Sequence, residues 1–463
     1  MVFFKRLVLI PKEQSQMFYN YYARFNRRQI LTMAGAGVGA SALGIGGYYL
    51  TRDNLRLGLI GCGNRGSALA DIIHKMSFYY RRFGTLVAVC DANLNRATVI
   101  AQKYAPSALV TQDYRQILEM SNLDGILIAT PNHWHALMAV QALNSDKAVY
   151  LEKPMTHTIT ESQELLKISK DSKHPILIGT QQRSTWSCRT GAELVRNGKV
   201  GTVNKARIYL SNKGGKGGPF VKQSIPPELN WKMWLGPAPQ VDYCPERYGG
   251  FHYWWDYGSG ELLNWGPHHM DIAMWAMDLC NTGPEKVVCT TSNMPNIQGG
   301  FEVPTDFQAT FTFPNGKSIE ITSEPKKDAN QSGIQFMGTT GELWVDRLNI
   351  IGDSVSDLQT NPFTSADLQM QKTPAPKTYT TVRHLSHFFD VARGENFPVS
   401  DVRSTHGSNV ALHLAAISLR TQKTILWDPA NEKLINCPFG EKYLGKSMPK
   451  DPCFTSPNLI RNN

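Results

Sequence analysis

The residues best suited to holding a ligand are three glycines, Gly61, Gly63 and Gly66, in the run Arg56-Leu-Gly-Leu-Ile-Gly-Cys-Gly-Asn-Arg-Gly66. An apolar strand running into this spacing suits a dinucleotide pyrophosphate, because the glycines permit a tight turn, close approach of the backbone to phosphate and close helix-on-strand packing. The helix that opens with Asn64 and Arg65 then points its N-terminus at the phosphates. A plain strand-to-helix turn produces the same pattern. A second apolar run, Thr85-Leu-Val-Ala-Val-Cys90, ends on Asp91, where a dinucleotide-binding unit keeps a carboxylate for the adenosine ribose hydroxyls. Aspartate at this position repels a 2′-phosphate and favours NAD over NADP, although Arg96 lies nearby. The alternative role for Asp91 is to cap the next helix. Far downstream, Glu152-Lys153-Pro154 brings an amine to the end of another apolar run.

These groups need a scaffold. From residue 55 to about 180, short apolar strands (124–129, 148–151 and 175–179) alternate with helical patterns (135–144 and 161–170), and Thr158-Ile-Thr-Glu161 has capping-box spacing. This rhythm predicts a Rossmann, doubly wound parallel sheet, an α/β unit. After Gly179 longer alternating strands take over. Residues 306–313 and 317–322 flank Asn315-Gly316 as a hairpin, and 336–345 reads as another. A helix at 189–197 is stopped by Gly198, and helices at 382–392 and 409–421 follow a Pro/Ser/Thr-rich loop near 353–380. The second unit is therefore expected to be a C-terminal α+β domain with an open, mostly antiparallel sheet. We divide the chain into 1–50, 51–180 and 181–463.

With 463 residues the chain is too long for one ordinary core. Half of its formal charge of +10 lies before residue 51, where six cations up to Arg28 face only Glu13. No basic stripe interleaved with aromatics follows, which argues against nucleic-acid binding. Arg27-Arg28 precede a Gly/Ala-rich run with no charge before Arg52, which resembles a twin-arginine export signal and implies a periplasmic or otherwise exported protein. The alternative is an uncleaved membrane anchor, the only membrane contact expected. The stretch before Asn26 exceeds what such a signal requires, making Met17 a candidate start. Eight cysteines (62, 90, 188, 244, 280, 289, 437 and 453) lack metal-ligand spacing, and export would permit a Cys437–Cys453 disulfide in the tail.

The motifs Gly61-Cys-Gly-Asn-Arg-Gly66, Thr130-Pro-Asn-His-Trp-His135, Glu152-Lys-Pro154, Gly258-Ser-Gly-Glu-Leu-Leu-Asn-Trp-Gly-Pro-His-His-Met-Asp271 and Trp427-Asp-Pro429 together resemble the Gfo/Idh/MocA oxidoreductase family, from Leu55 to about Ile435. The resemblance implies NAD or NADP bound at the first unit, carbohydrate or polyol oxidation in the cleft between units, and a homo-oligomer. It also places the catalytic histidine at His268 and an acidic residue at 264, where this chain has Asn264. Removing hydride from a carbinol carbon requires a base for the hydroxyl proton and a donor for the developing alkoxide. Lys153, at the carboxyl end of a parallel strand, suits the donor role; pairing with Glu152 is its structural alternative. His268 suits the base, with Asp271 three residues on as its orienting partner, and neutral Asn264 is expected to lower the histidine pKa. Packing or capping would also account for either residue. Pro131, Asn132 and His135 are expected to line the nicotinamide ribose or the substrate, with Thr130 and Glu152 also among the cofactor-binding residues. Gln182 and Arg183 are candidates for substrate hydroxyls, an interdomain salt bridge being the other role for Arg183. Tyr253, Trp254 and Trp265 could stack on sugar faces or simply pack. His133 and His135 lack a third ligand, and no metal is expected.

The leading expectation is an exported oxidoreductase that oxidises or reduces a sugar or glycoside hydroxyl, including oxidation at glycoside C3, on a tightly held NAD. Glycoside hydrolysis by transient oxidation and elimination is a second reading, disfavoured because glycosidases resembling this family tend to lack the lysine of Glu-Lys-Pro. A non-catalytic NAD-linked sugar-binding protein is the third.

Overall fold

The computed structural model describes residues 54–80, 84–211, 215–324, 332–352 and 380–445. The expected export signal, the Pro/Ser/Thr-rich stretch and Cys453 lie outside the described residues. The first unit runs β1 (Leu55–Ile60), α1 (Asn64–Tyr80), β2 (Gly84–Cys90), α2 (Leu94–Tyr104), β3 (Leu109–Thr111), β4 (Gly125–Ile128), α3 (His135–Asn144), β5 (Ala148–Leu151), α4 (Ile159–Asp171) and β6 (Ile176–Ile178). Its six strands are parallel in the order β3-β2-β1-β4-β5-β6. The order reverses between β1 and β4, opening a crevice at their carboxyl ends where the glycine turn and Thr130 emerge. Every residue of β4, β5 and β6 is buried, which is why these strands read as continuous apolar runs rather than alternating ones. Thr158 and Glu161 close the expected capping box at the start of α4.

The second unit contains α5 (Trp186–Arg196), β7 (Val203–Tyr209), α6 (Gly266–Ala276), β8 (Lys286–Thr290), β9 (Gln308–Thr312), β10 (Ser318–Thr322), β11 (Gly333–Gly338), β12 (Glu342–Val345), β13 (Ile350–Gly352), α7 (Thr380–Ala392), α8 (Val402–Thr421), β14 (Ile425–Asp428) and β15 (Lys433–Leu434). Its nine strands lie in the order β13-β12-β11-β7-β10-β9-β8-β14-β15. Among these described strands only the β7–β10 pairing is parallel. The fold is thus a Rossmann sheet joined to a mixed, mostly antiparallel sheet. In β9 and β10 alternate residues are buried, and this inner face meets α5, α6 and α8 in one apolar core through Phe311, Ile319, Leu194, Met270 and Leu412.

Chain order and packing part company at α7. Its Leu385, Phe388 and Phe389 join the core on one face of the first sheet, against Tyr150 and Leu177. The helix lies well beyond residue 180, yet its apolar stripe is buried by the first unit. Leu229, Trp231, Trp234, Tyr243, Trp254 and Tyr257 make a separate aromatic cluster, with Trp231 and Trp234 stacked at 4.6 Å.

Candidate active site

The glycine turn is built as a cradle. Gly61 has φ +93°, and its N–H donates to the Cys90 carbonyl at 2.8 Å, joining the turn to β2. A Cβ on Gly61 would lie 2.5 Å from the Ala129 carbonyl oxygen, and one on Gly66 1.8 Å from that of Gly61, so both positions exclude side chains by internal packing. At Gly63 the nearest atom to a Cβ is an Arg96 nitrogen at 3.8 Å. Internal crowding therefore does not explain Gly63, whose open side leaves room for a phosphate to approach the backbone. The first-turn amides of α1, which no helix can satisfy internally, begin at the same place.

Asp91 faces this turn. Its Oδ2 accepts from Cys62 N at 2.6 Å and its Oδ1 from Asn93 N at 2.8 Å, while burial pushes the carboxyl upward from its usual range. The capping role open to Asp91 falls instead to Asn93, which accepts from Arg96 N. Arg96 lies 4.6 Å from the Tyr248 ring, so the second unit reaches the Asp91 end of the crevice. At the other end, Thr130 Oγ1 and Asn132 Nδ2 are buried polar atoms without protein partners, and Pro131 adjoins them. Buried polar groups are normally satisfied, so two orphans at the carboxyl end of β4 suit a bound polar group. Cradle, carboxylate and orphans together fit NAD.

Other sequence candidates are committed to the protein itself. His135 is 1% exposed, with Nδ1 2.6 Å from the Pro154 carbonyl and Nε2 2.9 Å from that of Thr130. It ties two loops together instead of lining the crevice. Arg65 pairs with Glu152, whose Oε1 also accepts from Gln181 Nε2 at 2.8 Å. Arg183 and Asp271 form a two-point buried ion pair, Nε to Oδ2 at 2.7 Å and Nη2 to Oδ1 at 2.6 Å. Both carboxylate oxygens of Asp271 therefore turn to Arg183 instead of His268, and Arg183 takes the salt-bridge role, enclosed from substrate. Gln182 is fully buried; in the amide orientation that satisfies both ends it donates to the His268 carbonyl at 2.7 Å and accepts from Arg347 Nε at 3.2 Å. Trp254, 1% exposed, packs against Phe220 and Phe301 under the Arg247 guanidinium, which leaves no face for a sugar.

What meets at the seam is Lys153, Asn264 and His268. The Lys153–Pro154 peptide is cis, and Lys153 Nζ donates to the Asn264 carbonyl at 2.7 Å and to its Oδ1 at 3.1 Å. Burial pushes the Lys153 pKa down to about 8; Glu152 opposes this, Arg65 and Arg347 add to it, and Glu261 opposes it. His268, on α6, is 5% exposed, its Nδ1 has no partner, and burial followed by the Lys153 charge holds its pKa well below the imidazole range. Trp265 lies 5.9 Å from the His268 ring and under Arg347 at 4.5 Å, and half-buried Tyr253 hydrogen-bonds Glu261. An amine poised near neutrality beside a neutral imidazole can exchange protons with a hydroxyl.

Glu261, Arg347 and His252 escaped the sequence reading. Glu261 lies three residues before Asn264 on the short helix Gly260–Asn264, a spacing that puts both on one helical face and was legible. Arg347 comes from the turn between β12 and β13, and no local pattern announces it. Among the described residues no group of His, Cys, Asp or Glu suits a metal, and no helix is long and apolar enough to cross a membrane.

Residues 55–180 match the profile of an oxidoreductase family with an NAD-binding Rossmann fold, GFO_IDH_MocA, and residues 209–451 match that family's C-terminal alpha/beta domain. The chain belongs to the Gfo/Idh/MocA oxidoreductase family. It is similar to levoglucosan dehydrogenase of Pseudarthrobacter phenanthrenivorans, 28% identical over 63% of this chain and 73% of that protein. It is also similar to D-glucoside 3-dehydrogenase of Escherichia coli, 28% identical over 49% and 55%. The chain spans 43% of the length of the Salmonella inositol 2-dehydrogenases it matches at 29% identity. A solved levoglucosan dehydrogenase in complex with NADH and L-sorbose shares the fold, with TM-score 0.60 and 20% identity over 81% of this chain and 99% of that one.

Proposed function

We propose that this protein is an NAD-dependent dehydrogenase of a sugar or glycoside hydroxyl, exported from the cytoplasm and working on a tightly held nucleotide. The named activities of its relatives and the Arg27-Arg28 segment support the two halves of that reading. The observation that carries the chemistry is the part-buried Lys153 amine, anchored across the seam to Asn264 beside the His268 imidazole. Gly61, Gly63, Gly66, Asp91, Thr130 and Asn132 would hold NAD, which supplies the hydride acceptor when bound. His268, kept neutral by burial, takes the hydroxyl proton. Lys153, with a pKa of about 8, is largely an ammonium at neutral pH and steadies the alkoxide as it forms. Tyr253 and Trp265 offer aromatic surface to a sugar ring. Retention of the lysine favours net oxidation over hydrolysis by transient oxidation.

The test is to denature the purified protein, identify the released nucleotide, and screen glycosides by mass spectrometry for products lighter by two hydrogens. Lys153→Ala should lower kcat/KM by about a hundredfold or more, the scale of a positioned acid–base group. Unchanged turnover would overturn the assignment, and release of free aglycone without oxidised product would turn the reading to hydrolysis.

A further inference from the structure

Lys153 carries a cation into a buried cleft, yet both acceptors it touches belong to neutral Asn264. The anion that bears on it most strongly, Glu152, is engaged by Arg65. Arg347 approaches from the β12–β13 turn as a further positive charge, and the imidazoles of His252, His268 and His135 complete the surroundings, each held below its usual pKa first by burial. On the far side of the Asn264 amide lies Glu261, 3% exposed. Asn264 Nδ2 donates toward both of its carboxylate oxygens, at 3.4 Å to Oε1 and 3.5 Å to Oε2.

We propose that Glu261 is a positioning residue for Lys153, acting through the Asn264 side chain to hold the amine at the seam and keep it charged. An amide whose N–H groups face a carboxylate is polarised so that its oxygen becomes a better acceptor, and here that oxygen accepts a hydrogen bond from the lysine. The short helix enforces the arrangement, because residues three apart share a face and Asn264 is the last residue of the helix. Tyr253 hydrogen-bonds Glu261 as well, so the carboxylate links Lys153 to an aromatic group that the proposed function places against substrate. Asn264 thus bridges the Lys153 amine and the Glu261 carboxyl through the two ends of one amide.

The inference rests on the dehydrogenase reading for its consequence in turnover, but not for its physical content. The primary measurement is titration of the Lys153 amine by competitive acetylation with trace acetic anhydride between about pH 6 and 10, read by mass spectrometry of the Lys153 peptide. Removing a nearby anion disfavours the ammonium, so Glu261→Gln should move the Lys153 pKa down by about one unit, and Glu261→Asp, which retracts the carboxylate, by less. Combining Asn264→Asp with Glu261→Gln puts an anion in direct contact with the amine and should restore or raise its pKa. With glycoside turnover in hand, the high-pH limb of kcat/KM should follow the same shifts. If Glu261→Gln and Glu261→Asp both leave the Lys153 titration in place, the inference fails whatever the activity. If the titration moves but no glycoside is oxidised, the relay stands and the dehydrogenase reading fails.

Discussion

A Cβ on Gly66 would sit 1.8 Å from a backbone oxygen, whereas one on Gly63 would find only a guanidinium nitrogen at 3.8 Å, so the two glycines answer to different demands. Gly66→Ala should destabilise the folded protein by about 2 kcal/mol, since backbone has to move. Gly63→Ala should leave the unfolding midpoint unchanged and weaken NAD at least about tenfold, or 1.4 kcal/mol, measured by calorimetry on protein stripped of nucleotide. An unaltered NAD affinity would remove the phosphate argument. The site's pH dependence also belongs to single residues. If His268 and Lys153 play the roles proposed above, dehydrogenation should show no imidazole limb near pH 6.5, because the His268 pKa lies well below it, and should fall as pH rises through about 8 and Lys153 loses its proton. A rate that instead rises through that pH would make Lys153 the base. Local motifs made the glycine turn, its contact with Asp91 and the position of Lys153 at a strand end legible, whereas His268 is singled out only through the family resemblance. Arg347 was invisible, its place depending on how a hairpin turn folds over α6. Asp271 misleads for the same reason: helical spacing puts it near His268, but Arg183 from another segment claims both of its oxygens.

Elements show the same division between local and tertiary causes. The hairpin around Asn315-Gly316 appears as expected, with Gly316 at φ +76°, and α5 stops before Gly198 at φ +69°. The sequence pattern opens helix α8 at Asn409, but the helix starts at Val402, capped by Asp401 accepting from Ser404 N. Gly407 obscures that turn, since glycine weakens a helix; it is required because a Cβ there would lie 2.6 Å from the Thr282 carbonyl. The segment around residues 228–230 likewise gives no local sign of its role. Leu94 N donates to the Glu228 carbonyl at 2.9 Å, Asn230 N to that of Ala92 at 2.8 Å, and Gln112 Nε2 to both carbonyls at 2.9 and 2.8 Å. This strap fastens the aromatic cluster beside Asp91. Net hydrogen bonds contribute about 1 kcal/mol each, so Gln112→Ala should speed NAD release about five- to thirtyfold in a trapping experiment, with the pH profile unmoved. Equal release rates would mean that the strap does not retain the nucleotide.

For the whole molecule, the division into two sheets leaves open what keeps them in register, since the amine and the imidazole come from different units. Arg183, between β6 and α5, reaches Asp271 on α6 and also donates through Nη1 to the Val399 carbonyl and Ser404 Oγ, both at 2.9 Å, at the entrance to α8. One guanidinium thus joins the edge of the Rossmann sheet, the helix bearing His268 and the helix that closes the second core. The pair is 2% and 1% exposed, so removing one partner strands a buried charge, at a cost of about 3–5 kcal/mol. Asp271→Ala should therefore lower the urea midpoint sharply, whereas Arg183→Met with Asp271→Leu, which removes both charges and refills the space, should recover much of the stability. The double variant separates cohesion from registration. If Arg183 and Asp271 only add stability, its kcat should match the parent. If they hold α6 at the angle that sets His268 beside Lys153, kcat should stay depressed although the midpoint has returned. The two-point geometry favours the second outcome, because apolar side chains fill volume without fixing direction.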